Sequence, residues 1–262
     1  MVQLRAKIVY NKIVKANYFQ CAFFAPAIVR RARPGQFVDI RVNDTLEPLL
    51  RRPLSIHRVD GKRVEVIYEV VGKGTEILSK KKTGDTLDVI GPLGSGFTFN
   101  ERAILVAGGM GVAPLIFLAE KLAEVKSQKS KVKSQVLIGA KTKSKILCEK
   151  EFKQLGYKIK ISTDDGSRGF KGKVADLLKR ILLKNSRTCE PKNSIYACGP
   201  RPMLKEISAL SKKYNIPAQI SLEEHMACGI GACLGCVVKA KDGYRRVCKE
   251  GPVFNADEIV WE

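Results

Sequence analysis

Ala103-Ile104-Leu105-Val106-Ala107-Gly108-Gly109-Met110-Gly111-Val112-Ala113-Pro114 is where the chain changes its pattern. Residues 104–107 form an apolar strand, the glycines a turn, and residues 113–124 a helix, with Pro114 suited to its first turn. Downstream, strands at 135–139, 158–162 and 194–197 alternate with helical stretches at 144–155, 173–183 and 202–214. Strands alternating with helices imply right-handed crossovers and a parallel sheet covered on both faces. Such a sheet binds ligands at the carboxyl ends of its strands. Upstream the pattern is different: short β-type segments at 37–42, 64–70 and 86–90 follow the turns Pro34-Gly35, Asp60-Gly61 and Gly84-Asp85. Period-2 alternation with regular turn spacing predicts an antiparallel barrel or sandwich.

The final stretch, from Pro217 onward, has few apolar residues beyond Ile220, Leu222, Val237, Val238 and Val247. So small a segment rarely sustains its own core without a metal or a docking partner. The predicted division is therefore three parts: residues 1–100, 101–217 and 218–262.

Composition narrows the function classes. The chain has 262 residues, 45% hydrophobic and 28% charged, which excludes a disordered or collagen-like chain. The start carries Arg5 and Lys7 inside its apolar stretch and no small-residue cleavage site, so no secretory signal is read there. The longest uncharged run, residues 103–119, falls short of the roughly 20 residues of a membrane span and is interrupted by glycines and Pro114. No membrane association and a cytoplasmic location are expected. Lys plus Arg is 47 against 26 Asp plus Glu, a net charge of +21 that raises nucleic acid as a partner. Much of that charge lies in two polar stretches, 124–133 and 179–192, without interleaved aromatics, and aromatics make up only 7% of the chain. Stacking platforms for single strands are thus not evident, and solvated faces are the expected reading rather than a nucleic-acid site.

Of the 8 cysteines, Cys228, Cys233, Cys236 and Cys248 crowd together near the end. Cys228-Gly-Ile-Gly-Ala-Cys233-Leu-Gly-Cys236 has the C-x4-C-x2-C spacing of plant-type [2Fe–2S] sites, with Cys248 as the distant fourth ligand. Gly229, Gly231 and Gly235 can take positive φ and turn backbone N–H groups toward the sulfurs. Arg245 and Arg246, close to Cys248, would favour the reduced state by their charge. Structural zinc is the competing reading, but zinc sites usually pair two short cysteine arms. A Rieske-type site would need two histidine ligands, whereas the chain has only His57 and His225 and its four cysteines are already in register.

The turn at 108–114 can admit a pyrophosphate close to the backbone, where free N–H groups and the helix dipole favour its charge. It is not the G-x-G-x-x-G fingerprint. Gly72-Lys73-Gly74-Thr75 leads into a second short helix and could cap another phosphate. Cys198-Gly199-Pro200 ends a strand at the ligand-bearing edge, where a lone cysteine is usually a packed thiol. Lys141 and Lys143 follow another strand end, where they either meet a 2′-phosphate or remain surface charge.

Taken in order, Arg52-Pro53-Leu54-Ser55, Gly74-Thr75, Gly108 to Pro114 and Cys198-Gly199-Pro200 resemble the ferredoxin–NADP reductase superfamily. The ending from Glu223 to Cys236 resembles, within it, the electron-transfer subunits of dihydroorotate dehydrogenase B. The resemblance covers nearly the whole chain. It implies an N-terminal FAD-binding barrel, a central NAD-binding α/β domain and a small C-terminal [2Fe–2S] lobe. It places Arg52, Pro53, Leu54, Ser55, Ile67, Tyr68, Glu69, Gly74 and Thr75 on FAD. Gly108, Gly109, Gly111, Pro114, Cys198 and Gly199 would cradle NAD, and Cys228, Cys233, Cys236 and Cys248 would hold the cluster. Leu54 stands where broader superfamily members often carry an aromatic. The implied partner is an FMN-containing dihydroorotate dehydrogenase catalytic subunit, assembled as a heterotetramer in pyrimidine (UMP) biosynthesis. No proton-transferring catalytic residue is implied in this chain. The alternatives are a subunit of another redox complex on the same scaffold (hydrogenase or sulfide dehydrogenase gamma-type, or a bifurcating NADH–ferredoxin reductase) and, from another class, a zinc-stabilised nucleic-acid-binding module.

Overall fold

The computed structural model describes residues 1–99, 103–126, 134–185 and 194–261. Most of the two lysine-rich stretches, and Cys189, therefore lie outside the described residues. The first part is a closed antiparallel barrel of six strands: β1 (Val2–Lys15), β2 (Tyr18–Phe24), β3 (Phe37–Arg41), β4 (Arg52–Asp60), β5 (Arg63–Glu69) and β6 (Thr86–Leu93). Around the barrel the order is β1-β2-β5-β4-β3-β6. Helix α1 (Pro26–Val29) follows β2, and α2 (Lys73–Lys80) follows β5. Alternation does what period 2 requires: Ala6 and Ile8 are buried while Arg5 and Lys7 are exposed. Ile8, Phe23, Val38, Ile40, Ile56, Val64, Val66, Leu87 and Val89 fill the barrel, and closure leaves it no open edge.

The second part is a seven-stranded sheet that takes in β7 (Ala103–Gly108), β8 (Gln135–Ala140), β9 (Lys158–Thr163), β10 (Phe170–Lys171), β11 (Ser194–Cys198), β12 (Ala218–Ser221) and, further along the chain, the strand Val253–Asn255. Its helices are α3 (Val112–Lys126), α4 (Glu149–Gln154), α5 (Val174–Asn185) and α6 (Arg201–Tyr214). Strand β7 is buried along its whole length, as expected of a central parallel strand. Its successive side chains serve opposite cores: Leu105 and Ala107 pack with α3 and α4, Ile104 and Val106 with α5 and α6. The helix expected over 144–155 is broken. Cys148 holds a left-handed backbone at φ 56, and Ile146, Leu147 and Cys148 are drawn into the core, which leaves α4 only Glu149–Gln154.

The sheet does not end at the boundary expected near Pro217. Strand β12 pairs in parallel with β11, and after β13 (Val237–Ala240) and β14 (Gly243–Arg246), strand β15 (Val253–Asn255) pairs antiparallel with β12. The last segment solves its shortage of apolar residues by merging Val238, Val247, Phe254 and Ile259 into the core under α5 and α6. It also reaches the connection leaving the barrel, where Ser95 N donates to Gly251 O at 2.5 Å. No helix among the described residues is long and apolar enough to cross a membrane.

Candidate functional site: two clefts and paired thiols

A cleft of about 700 Å³ opens between the barrel and the last segment. Strand β4 presents Arg52, Pro53, Leu54 and Ser55 to it, the end of β5 presents Ile67, Tyr68 and Glu69, and α2 presents Thr75. Gly74 lies beside this wall: a Cβ there would fall 2.0 Å from Arg52 Nε, so only glycine lets the guanidinium lie across the helix start. Thr75 Oγ1 accepts from Val71 N at 3.0 Å and Gly72 N at 3.3 Å and fixes the first turn of α2. Arg52 also donates to the carbonyls of Leu50 and Arg51, which anchors its head beside the positive end of the α2 dipole. The pairing suits a phosphate-bearing ligand. Tyr68 donates to Asn11 Oδ1 at 3.0 Å, and burial raises its hydroxyl pKa. The same cleft is lined by residues absent from the sequence expectation: Met110, Arg201 and the run Ser221 to Met226.

The second cleft, about 380 Å³, lies at the carboxyl edge of the parallel sheet. Gly108, Gly109 and Met110 follow β7, Gly139, Ala140 and Lys141 close β8, and Pro200, Pro202 and Met203 precede or open α6. Of the six residues expected here, Gly108 and Gly109 line the cleft. Gly111, Pro114, Cys198 and Gly199 shape its support instead. A Cβ on Gly111 would lie 2.0 Å from the Cys198 carbonyl oxygen, and one on Gly199 would lie 3.0 Å from Gly108 Cα. Pro114 is buried within α3. Cys198 is 1% exposed, and burial pushes its thiol well above the ordinary range. Lys141 lines the cleft, whereas Lys143 is not among its lining residues. The barrel closes the entrance with Tyr18 and Glu69. Lys145 Nζ sits 3.1 Å from Glu69 Oε1 and 4.9 Å from the centre of the Tyr18 ring. Burial works to raise the Glu69 pKa, but the Asn17 amide and Lys145 outweigh it and hold it low. Glu69 and Met110 line both clefts, so the two meet there.

The four clustered cysteines form two pairs. Cys233 donates to Cys228, and Cys248 donates to Cys236. Burial opposes ionisation of Cys228, yet the N–H groups of Ile230, Cys233 and Ala232 and the Cys233 thiol bring it down to about 6. Cys248 is pushed up to about 12 by burial and by the Cys236 sulfur. Further backbone donors reach sulfur from Gly235, 3.5 Å from Cys233 Sγ, and from Cys248 itself, 3.4 Å from Cys236 Sγ. Gly229 and Gly231 take positive φ as expected, but the third left-handed residue is Leu234 at φ 57, not Gly235. Arg246 donates to Gly231 O at 2.8 Å and so braces the loop, while Arg245 turns to Asp242. Cys233 is exposed, while Cys236 and Cys248 are buried. Among the described residues no three His, Cys, Asp or Glu side chains gather as a single-ion site. Four soft thiols with backbone N–H donors are the donor set that a two-iron cluster would take.

A barrel, a nucleotide-type sheet and a cysteine lobe around two joined clefts define a ferredoxin-reductase-like oxidoreductase component. Residues 105–209 match the family model "Oxidoreductase NAD-binding domain", and residues 223–260 match "Iron-sulfur cluster binding domain of dihydroorotate dehydrogenase B". The chain is 44% identical over 268 residues to the dihydroorotate dehydrogenase B (NAD(+)) electron transfer subunit of Desulforamulus reducens, covering 98% of both chains. It is 43% identical over 233 residues to that of Clostridium acetobutylicum, covering 87% of this chain and 86% of the other. A solved structure of an NADH-dependent reduced ferredoxin-NADP oxidoreductase aligns with a TM-score of 0.82 at 30% identity, over 98% of this chain and 90% of that one. A ferredoxin NADP+ reductase from Neisseria gonorrhoeae shares the fold at a TM-score of 0.66 and 16% identity, over 81% of this chain and 91% of that one. The chain belongs to the family of electron transfer subunits of NAD(+)-dependent dihydroorotate dehydrogenase B.

Proposed function

We propose that this chain carries electrons from an FMN-containing dihydroorotate dehydrogenase catalytic subunit to NAD+, through a [2Fe–2S] cluster and FAD, in pyrimidine biosynthesis. The observation that carries this reading is the meeting of the two clefts at Glu69 and Met110, with the paired thiols in the adjoining lobe. When bound, a flavin converts the two-electron hydride chemistry of nicotinamide into the single-electron chemistry of an iron–sulfur cluster. Arg52 and the start of α2 hold an FAD phosphate, while Pro53, Leu54, Ser55, Ile67 and Tyr68 position the remainder of the cofactor. The Gly108-Gly109 turn offers backbone to the NAD pyrophosphate, and Glu69 with Lys145 closes the entrance from the barrel side. Gly111, Pro114, Cys198 and Gly199 support that turn from behind. Cys228, Cys233, Cys236 and Cys248 would hold the two-iron cluster.

The relay needs no acid or base from this chain. We infer a heterotetramer with the catalytic subunit, working in the cytoplasm; the family membership supports both. A second reading, a subunit of a bifurcating assembly, draws support from the 30% identity to the NADH-dependent ferredoxin-NADP oxidoreductase. Copurification with the native catalytic subunit, followed by assay of dihydroorotate-dependent NAD+ reduction, decides between them. NADH formation dependent on dihydroorotate and both subunits supports the first reading. A complex that reduces NAD+ only with ferredoxin supports the second.

A further inference from the structure

Asp39 lies mid-strand in β3, where alternation with Val38 and Ile40 turns it out of the barrel interior. It is nonetheless only 2% exposed. The cysteine loop covers it: a Cβ on Gly229 would fall 2.4 Å from Asp39 Oδ2. Gly229 holds φ +66, so the chain bends sharply there and puts no side chain of its own between the carboxylate and Cys228. In the β3–β4 register Asp39 stands opposite Pro53, a residue of the strand that lines the larger cleft. One carboxylate thus touches the cysteine loop and flanks the proposed flavin-binding strand.

That carboxylate is poorly satisfied. Its Oδ1 has no hydrogen-bond partner. The neighbouring arginines are engaged elsewhere: Arg51 pairs with Asp88 at 2.8 Å, and Arg52 donates to main-chain carbonyls. A buried charge acts strongly on neighbouring charged groups, because the surrounding dielectric is low. The charged groups that act on Asp39 are Arg51 and Arg52 and, in the cysteine loop, Cys228.

We propose that Asp39 is a positioning residue for the iron–sulfur centre, a carboxylate at the Gly229 corner that keeps the cluster's reduction potential low. This rests on the reading of Cys228, Cys233, Cys236 and Cys248 as cluster ligands. A negative charge beside the cluster disfavours the added electron and makes the reduced cluster a stronger donor. Low potential at this point favours release toward flavin and NAD+, the direction the relay requires. The carboxylate exchanges no electron or group; it only biases the one-electron equilibrium.

The test is a redox titration of the full chain, loaded with flavin and cluster, at pH 8, followed by low-temperature paramagnetic resonance. Wild type must first show the reduced-cluster signal and iron content of a [2Fe–2S] protein; if it does not, the reading of the cysteines fails and not the role of Asp39. Asp39→Asn keeps the shape and removes the charge, and Asp39→Ser removes it with a smaller side chain. Both are expected to favour reduction about tenfold, 59 mV for one electron, with iron content retained. A shift of less than twofold in the reduction equilibrium, about 18 mV for one electron, in iron-replete variants would overturn the proposal. So would loss of the cluster from both variants, since the residue would then be structural only.

Discussion

Replacing Gly111 by alanine tests whether the turn after β7 is built on backbone contact. The added methyl carbon would lie 2.0 Å from the Cys198 oxygen, 2.3 Å from its carbonyl carbon and 2.7 Å from Gly199 N. Optimal carbon contacts lie near 3.5 Å, so the end of β11 must retreat by more than about 1 Å. No flexible side chain can absorb this, which places the cost near 3 kcal/mol, the upper part of the usual range of about 1–3 kcal/mol for overpacking. At roughly 2–4 °C per kcal/mol, the melting temperature should fall by about 6–12 °C. Gly109→Ala is the control. Nothing lies within 4 Å of its added carbon, and only the left-handed backbone at φ +55 is penalised, by about 1–2 kcal/mol. The functional readout is the rate at which NADH bleaches the bound flavin near 450 nm, about where oxidised flavins absorb. A displacement of about 1 Å can cost on the order of 100-fold in rate, and Gly111→Ala should lose at least tenfold in kcat/KM for NADH. A Gly111→Ala protein with wild-type melting and an unchanged NADH dependence would refute the account of this turn.

Arg52→Ala removes a charged phosphate contact, typically about 1.5–3 kcal/mol, so FAD should bind roughly 10–100-fold more weakly; FAD retained through gel filtration measures this. Cys233→Ser should lose iron and the reduced-cluster signal, whereas Cys21→Ser, deep in the barrel core, should retain both in iron assays. His57 is fully buried, its Nδ1 donates to Ala113 O at 2.9 Å, and burial depresses its pKa to about 4. The unfolded chain therefore binds the extra proton first as pH falls. Stability present above about pH 6.5 should decline toward pH 4 by about 3 kcal/mol from this group alone, and His57→Gln should flatten that limb in melting experiments across the range.

The two patterns of the chain were readable because each leaves a period. Alternation in 86–90 shows one buried face, and the unbroken apolar run at 104–107 shows two. Cysteine spacing likewise carries the proposed cluster ligands, because three of them sit on one short loop. Other features leave no period. Strands β12 and β15 have four and three residues, too few to show alternation, so the continuation of the sheet beyond Pro217 was hidden. Cys148 and Leu234 adopt left-handed backbone that their side chains do not advertise. Tyr18, Met110, Lys145 and Glu223 reach the clefts from elements distant in sequence, and only the folded chain brings them together. Gly111 was legible as a glycine needed for close approach, but what approaches it is the protein's own backbone.

Because β15 is stitched beside β12, and Gly251 grips Ser95 in the strap leaving the barrel, the terminal lobe is not a detachable cassette. A chimera that swaps it at residue 217 would replace two of its host's strands and set the donor's β12 against the host's β11. Grafts between relatives should therefore carry β11 along with both strands. The same stitching ties the lobe to the sheet and to the strap leaving the barrel at once.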